Sequence, residues 1–404
     1  MVYQMQWVNA LSTRPSLEAA VADAIEQAVT SLKAPADLGI VFISSAFMSE
    51  YSRLLPLITE KLSLPVLIGC SAAGIIGSKF PGTTEEIEAG AAISLTLAHL
   101  PGVDMQIFHL VAEDLPDSDS SPDAWINFIG VPPSPTPHFM LLSSGFSSGT
   151  NDLLQGLDFA YPKSVIVGGL TSGGLTNGRI ALFGNDQIYH QGILGIAFSG
   201  NILLDAIVAQ GCRPIGKPLQ VTQADRNIIL QLDEQPPLVV LRDLISRLSE
   251  SERVLVQNSL FIGLAMDEFK VNLQQGDFLI RNILGVDPSA GAIAIADRVR
   301  PGQRLQFHLR DAQASAEDLE LLLQQYKQEH SQDSPPLGVL MFSCLGRGQG
   351  LYGQPNFDSQ VFRRYFPNTP VGGFFCGGEI GPVSGTTFLH GYTSVFAICR
   401  ALVG

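Results

Sequence analysis

The chain has 404 residues, of which 46% are hydrophobic and only 15% charged, with a formal net charge of −14. It is too long for one ordinary core and too apolar for a disordered chain, so two domains or a duplicated one are expected. The acidic balance, without a Lys/Arg cluster, argues against a nucleic acid or a membrane surface as partner.

In chain order, "MVYQMQWVNA" lacks a basic segment followed by an apolar run, so no secretory signal is expected. Residues 11–33 are patterned as an amphipathic helix that Ser16 can cap and Pro35 follows. The apolar run "IVFISS" then leads into a helical stretch, "SRLLPLITEKL", and into a short strand with a Gly-rich turn, "PVLIGCSAAGIIG". From Gly90, "GAAISLTLAHLPGVDMQIFHL" reads as two strands about Pro101-Gly102, each too short to cross a bilayer. The three-part sentence is then repeated as "FMLLSS", "NDLLQGLDFA" and "PKSVIVGGLTSGGL", and "HQGILGIAFSG" closes it. The stretch 201–290 matches no earlier part, and a boundary near residue 230 is expected within it. From Gly291, "GAIAIADRVRPGQRLQFHL" restates the strand pair about Pro301-Gly302. A helix over 315–330 follows, then "VLMFSC", "DSQVFRRYF", "PVGGFFCGGEIG" and "HGYTSVFAICR".

Gln106 and Gln306, Ser143 and Ser343, and His190 and His390 share one offset of 200 residues. Residues of about 90–200 and about 291–400 therefore read as one supersecondary unit used twice. Within it, the strand-to-loop transition occurs three times, with Gly69, Gly74 and Gly77, with Gly168 and Gly173 but Thr176 in the last place, and with Gly373, Gly378 and Gly381. Strands alternating with helices predict an α/β fold, internally duplicated, with mixed β-sheets flanked by helices in a layered sandwich. The expected organisation is an N-terminal strand and helix over 1–34 packing on a first module, 35–230, and a second, related module, 231–404. Five cysteines without CxxC spacing fit a reduced, cytoplasmic protein rather than a disulfide scaffold or zinc module.

Ligands in α/β sheets collect beyond strand carboxyl ends, where glycine brings backbone N–H groups close to a guest. Ser44, Ser45, Ser143, Ser144, Ser343 and Cys344 sit at such ends. In the first two loops, Gly69, Gly74, Gly168 and Gly173 read as turn punctuation. The third loop, with Gly373 and Gly378, adds Cys376 and Glu379, while "GRGQGLYGQPNFD" beside it adds Arg347, Tyr352, Asn356 and Asp358. These residues and His390 are the candidate contacts of a small polar molecule. Arg347 and Glu379 facing one pocket would suit a zwitterion such as an amino acid; Arg347 could equally bridge to Asp358 or Glu379 to hold the loops. The rival reading is a thiol-dependent hydrolase or transferase, with Cys376 as nucleophile, His390 as base and Asp358 or Glu379 as orienting acid. "GRGQG" lacks a following G-K-[ST], so it is a weak nucleotide signal, and Cys376, Glu379 and His390 match no known metal framework. No cofactor is expected.

"GRGQGLYGQPNFDS", "PVGGFFCGGEIGPV" and "FLHGYTSVFAICR" resemble the C-terminal part of the FIST family (F-box and intracellular signal transduction proteins). "PVLIGCSAAGIIG", "VIVGGLTSGGL" and "QGCRPIGKPLQVTQAD" are similar to its N-terminal module. The resemblance implies a sensory, small-ligand-binding module, with amino acids or related polar metabolites as ligands and a protein signalling partner as readout. It implies no catalytic residues. It carries Arg347, Tyr352, Asn356, Asp358, Cys376, Glu379 and His390 as pocket candidates.

Overall fold

The computed structural model describes residues 4–80, 82–117, 119–145, 149–174, 180–273 and 276–402; Thr176 lies outside them. Contacts gather the chain into two compact units, Met1–Val208 with Leu322–Gly404, and Ala209–Leu321.

The larger unit builds one sequence of elements three times. The first repeat runs β1 (Gln6–Ser12), α1 (Leu17–Ser31), β2 (Leu38–Ser44), α2 (Tyr51–Thr59), β3 (Val66–Ala72), a hairpin of β4 (Ile75–Phe80) and β5 (Thr83–Ile87), and β6 (Ile93–His99). The predicted helix starts later than residue 11, because Gln6–Ser12 pairs along β6 and Ser16 caps α1 by accepting from the Ala19 N–H at 3.3 Å. The second repeat runs β7 (Val103–Leu110), α3 (Pro122–Ile129), β8 (His138–Ser143), α4 (Gly149–Ala160), β9 (Ile166–Leu170), the hairpin β10 (Leu182–Gly184) and β11 (Gln187–Tyr189), and β12 (Ile193–Gly200).

The third repeat opens with β13 (Ile202–Ala209). The smaller unit follows: β14 (Cys212–Asp225), β15 (Ile228–Leu232), α5 (Pro237–Arg247), α6 (Glu250–Ser259), β16 (Leu260–Ala265), β17 (Phe278–Asp287), β18 (Ala292–Ile295) and β19 (Arg304–Arg310). Its strands close into a barrel of order β14-β15-β18-β17-β16-β19, filled by Val221, Ile229, Ile262, Ile293, Leu305 and Phe307 among others. Residue 230, the expected meeting point of two sequence modules, lies within β15 of this barrel. After α7 (Ala312–Glu329) the third repeat resumes with β20 (Gly338–Cys344), α8 (Gln349–Tyr352), α9 (Phe357–Tyr365), β21 (Val371–Cys376), the hairpin β22 (Glu379–Val383) and β23 (Thr386–His390), and β24 (Ser394–Ala401).

The described residues of the larger unit form three six-stranded sheets, ordered β1-β6-β2-β3-β10-β11, β23-β22-β9-β8-β12-β7 and β13-β24-β20-β21-β4-β5. In each, one pair is parallel: β2 with β3, β8 with β9 and β20 with β21. The hairpins are exchanged in a cycle. The hairpin of the first repeat completes the sheet of the third, that of the third completes the second, and that of the second completes the first. The fold is thus α/β with mixed sheets flanked by helices, and its repeating unit occurs three times. The Pro-Gly strand pairs separated by 200 residues are not equivalent in space: β6 and β7 belong to the repeats, β18 and β19 to the barrel.

Strand alternation explains the layering. Ile40 and Phe42, Met140 and Leu142, and Leu340 and Phe342 all face one shared core. On the other face of the first sheet Val41 and Ile43 pack beneath α1 and α2, and on that of the second Phe139 and Leu141 pack beneath α3 and α4. Each such side chain, fully buried, contributes roughly 1.5–3 kcal/mol. Among the described residues no helix is long and apolar enough to cross a membrane.

Candidate functional site

The three glycine signatures have a packing cause. Gly69, Gly168 and Gly373 lie inside β3, β9 and β21, opposite Val41, Leu141 and Met341 of the parallel neighbours. A Cβ at any of them would stand 1.9 Å from that neighbour's carbonyl oxygen. These three are strand residues rather than loop residues, which corrects their expected place in Gly-rich turns and loops. Gly74, Gly173 and Gly378 mark the points where the chain leaves its own sheet for the next. Their Cβ atoms would meet Phe375, Ala73 and Leu170 respectively, at 2.7, 2.7 and 2.9 Å. The crossovers do meet in space: Ser172 Oγ accepts from the Ala73 N–H at 2.8 Å and donates to the Phe375 carbonyl. At this node they close on one another.

The charged residues of the third repeat gather at the carboxyl end of β20. The Arg347 side chain is fully buried. Its Nε donates to Asp358 Oδ2 at 2.6 Å and its Nη2 to Asp358 Oδ1 at 3.0 Å, a two-point ion pair. Nη2 also reaches the Tyr352 hydroxyl at 2.5 Å, and that hydroxyl donates to Asp358 Oδ1 at 2.8 Å. Tyr352 stacks on Phe357 with centroids 3.9 Å apart, so the loop is held by ring contact as well as charge. Of the two roles open to Arg347, it takes the bridge to Asp358.

Asn356 sits in the left-handed region, φ +61°, just before α9, and its Oδ1 accepts from the Glu86 N–H at 2.6 Å. Glu86 comes from β5, the hairpin lent by the first repeat, and its Oε1 accepts from the Ser359 N–H at 2.8 Å. Burial, and then the nearby Asp358 carboxylate, push its carboxyl up to about 7. No local pattern in the sequence marks Glu86, which is more than 260 residues from its partners.

Glu379, the first residue of β22, is in register with Gly169 of β9 on one side and His390 of β23 on the other. Its carboxyl is wholly buried: Oε2 accepts from the Thr393 N–H at 3.0 Å, whereas Oε1 has no hydrogen-bond partner. Burial pushes this acid well up; the Thr393 N–H, the Arg347 charge and the Cys344 thiol oppose the shift without outweighing burial. Ser343 and Ser394, opposite each other on β20 and β24, are also buried, and neither hydroxyl has a hydrogen-bond partner. Ser343 was legible as a strand end; Thr393 and Ser394 were not, because only the return of β24 brings them there.

The surroundings of Cys376 do not favour a reactive thiol. Cys376 is fully buried, its Sγ lies 3.6 Å from the Phe374 carbonyl, and burial pushes its thiol well above the usual range, with Glu379 adding to the effect. A nucleophile toward substrate needs a thiolate and access. His390 Nε2 lies 3.0 Å from the Gly381 carbonyl, and Asp358 is engaged by Arg347.

Residues 37–235 match the FIST N domain and residues 237–382 the FIST C domain. An uncharacterized protein of Mycobacterium tuberculosis is 35% identical over 390 residues, covering 96% of this chain and 98% of its own. An F-box/LRR-repeat protein of Arabidopsis thaliana is 23% identical over 423 residues, covering 88% of this chain and 79% of its own. F-box only protein 22 of Homo sapiens is 27% identical over 134 residues, 29% of this chain and 33% of its own.

Proposed function

From a chain that belongs to the FIST family and carries both its FIST N and FIST C domains, we propose a cytoplasmic sensory protein that binds a small polar metabolite, an amino acid or a related amine, at Glu379. FIST domains are associated with signal transduction and small-ligand sensing, which sets the class. The observation that carries the site is Glu379 Oε1, wholly buried and without a hydrogen-bond partner. An unsatisfied buried polar atom costs about 1–3 kcal/mol, and a ligand donor placed there recovers it.

The ligand's ammonium or N–H end meets Glu379, and its remaining polar groups meet nearby backbone and hydroxyls. Glu379 belongs to a hairpin seated on the second sheet, while its Oε2 is held by Thr393 at the start of a strand of the third. Occupancy therefore bears on two sheets, and a protein partner reads the difference. The ligand shifts the balance only by its differential affinity for the two arrangements.

A thermal-shift screen with amino acids, small amines and small carboxylates tests this. A ligand at a hundred times its Kd adds about 2.7 kcal/mol of stability. The expected result is a shift with an amine-bearing metabolite that Glu379→Gln abolishes. A screen in which nothing moves the melting point, or in which Glu379→Gln responds as the parent does, overturns the proposal.

A further inference from the structure

Cys344 and Cys376 end the parallel strands β20 and β21, and they are register partners. Neighbouring strands are about 4.8 Å apart, inside the Cα separation of about 4.4–6.8 Å that a disulfide spans. Both side chains have the parity of Phe342 and Phe374, which face the shared core with ring centroids 5.7 Å apart, so the two thiols leave the sheet on the same side. Neither sulfur is in a disulfide.

We propose that Cys344 and Cys376 are a peroxide-oxidisable pair that closes into a disulfide across the carboxyl ends of β20 and β21. The two thiols are not equivalent. Cys344 retains 8% exposure and precedes the exposed Leu345, whereas Cys376 has none. The Gly346 N–H points at Cys344 Sγ from 3.4 Å, while the Glu379 carboxyl also meets this thiol, so it is access rather than charge that sets Cys344 apart. Cys344 is therefore the attacking thiol. Its sulfur takes one oxygen from hydrogen peroxide, giving a sulfenic acid and one water as the O–O bond breaks. The Cys376 sulfur then displaces the hydroxyl of the sulfenic acid; the thiol proton leaves with it as a second water, and the S–S bond forms. Cys376 needs no access to solvent for this, only its register neighbour.

The full-length protein is treated with hydrogen peroxide, the remaining thiols are alkylated under denaturing conditions, and the digest is read by mass spectrometry with and without a thiol reductant. A Cys344–Cys376 linked peptide, two hydrogens lighter than the sum of its parts and lost on reduction, is expected. Cys344→Ser removes the link and leaves Cys376 alkylated; Cys376→Ser leaves Cys344 as a sulfenic acid that a dimedone probe captures. Overturning results are Cys344 passing to sulfinic or sulfonic acid in the parent protein, a link from Cys376 to Cys70 instead, or both thiols fully alkylated after peroxide. The linkage is read in the parent protein, so a variant that fails to fold does not leave the question open.

Discussion

The hydroxyl of Ser172 accepts a hydrogen bond from the Ala73 N–H at 2.8 Å, and because it also donates to the Phe375 carbonyl it ties together the crossovers of all three repeats. Ser172 is buried and so is the Phe375 carbonyl bond. Ser172→Ala strands a donor and an acceptor at one point and is expected to cost about 1–3 kcal/mol, read from urea unfolding. A loss below about 0.5 kcal/mol would show that the node is not what holds the crossovers together.

The in-strand glycines make a sharper prediction. Gly373→Ala puts a methyl 1.9 Å from the Met341 carbonyl oxygen, backbone that cannot move without breaking the β20–β21 ladder. Overpacking of this kind costs about 1–3 kcal/mol and more where backbone must shift. Gly350→Ala, with nothing near its Cβ, is the control and should leave the unfolding midpoint unchanged. Equal effects of the two would refute the close-approach account.

Arg347 and Asp358 bury an ion pair with nothing of it exposed beyond 1%. Arg347→Ala leaves Asp358 as an uncompensated buried charge, at a cost of about 3–5 kcal/mol. Arg347→Met combined with Asp358→Leu should cost clearly less than the sum of the two single changes, because no charge is left behind. Additive losses in a double-mutant cycle would count against the pair acting as a unit.

Glu86 gives the pH dependence. Its ordinary value is 4.5 and its folded value about 7, so between these limits the folded protein binds more protons than the unfolded chain. Stability carried by this group is therefore present below about pH 4.5 and falls as pH rises through about 7. Glu86→Gln should flatten that part of the unfolding-midpoint profile. A parent profile that rises steadily from pH 5 to 7.5, and that Glu86→Gln leaves unchanged, would contradict the assignment.

Binding of an amine at Glu379 should also depend on pH. The empty site favours the protonated acid, so an ammonium ligand must displace that proton, and its affinity should increase as pH rises. Calorimetry in buffers of different ionisation enthalpy reads the released proton directly. Binding without proton release would mean that the ligand meets Glu379 as a neutral donor.

Much of the local architecture was readable in the residues. "IVFISS", "FMLLSS" and "VLMFSC" became β2, β8 and β20, and the helical stretches after them became α2, α4 and α9, because unbroken apolar runs suit strands buried on both faces. The 200-residue offset was real for the strand ends at Ser143 and Ser343, but it misled at Gln106 and Gln306. Two β-strands about a Pro-Gly turn look alike in a repeat and in a barrel, because both ask only for alternation and a turn. Arg347, Tyr352, Asn356 and Asp358 were gathered in the sequence and stay gathered in space, since they lie within twelve residues. Which of them would pair with which was not readable, because Asn356 is engaged by Glu86, which arrives from the first repeat.

The strand and helix order within the repeats and membership of the family follow from residue types and spacing, since these act over a few positions at a time. The cyclic lending of hairpins, the meeting of three crossovers at Ser172, the neutralisation of Arg347 by Asp358 and the unpartnered oxygen of Glu379 arise only on folding. Each of these depends on burial and on contacts between segments distant in the chain, and neither quantity has a local signature.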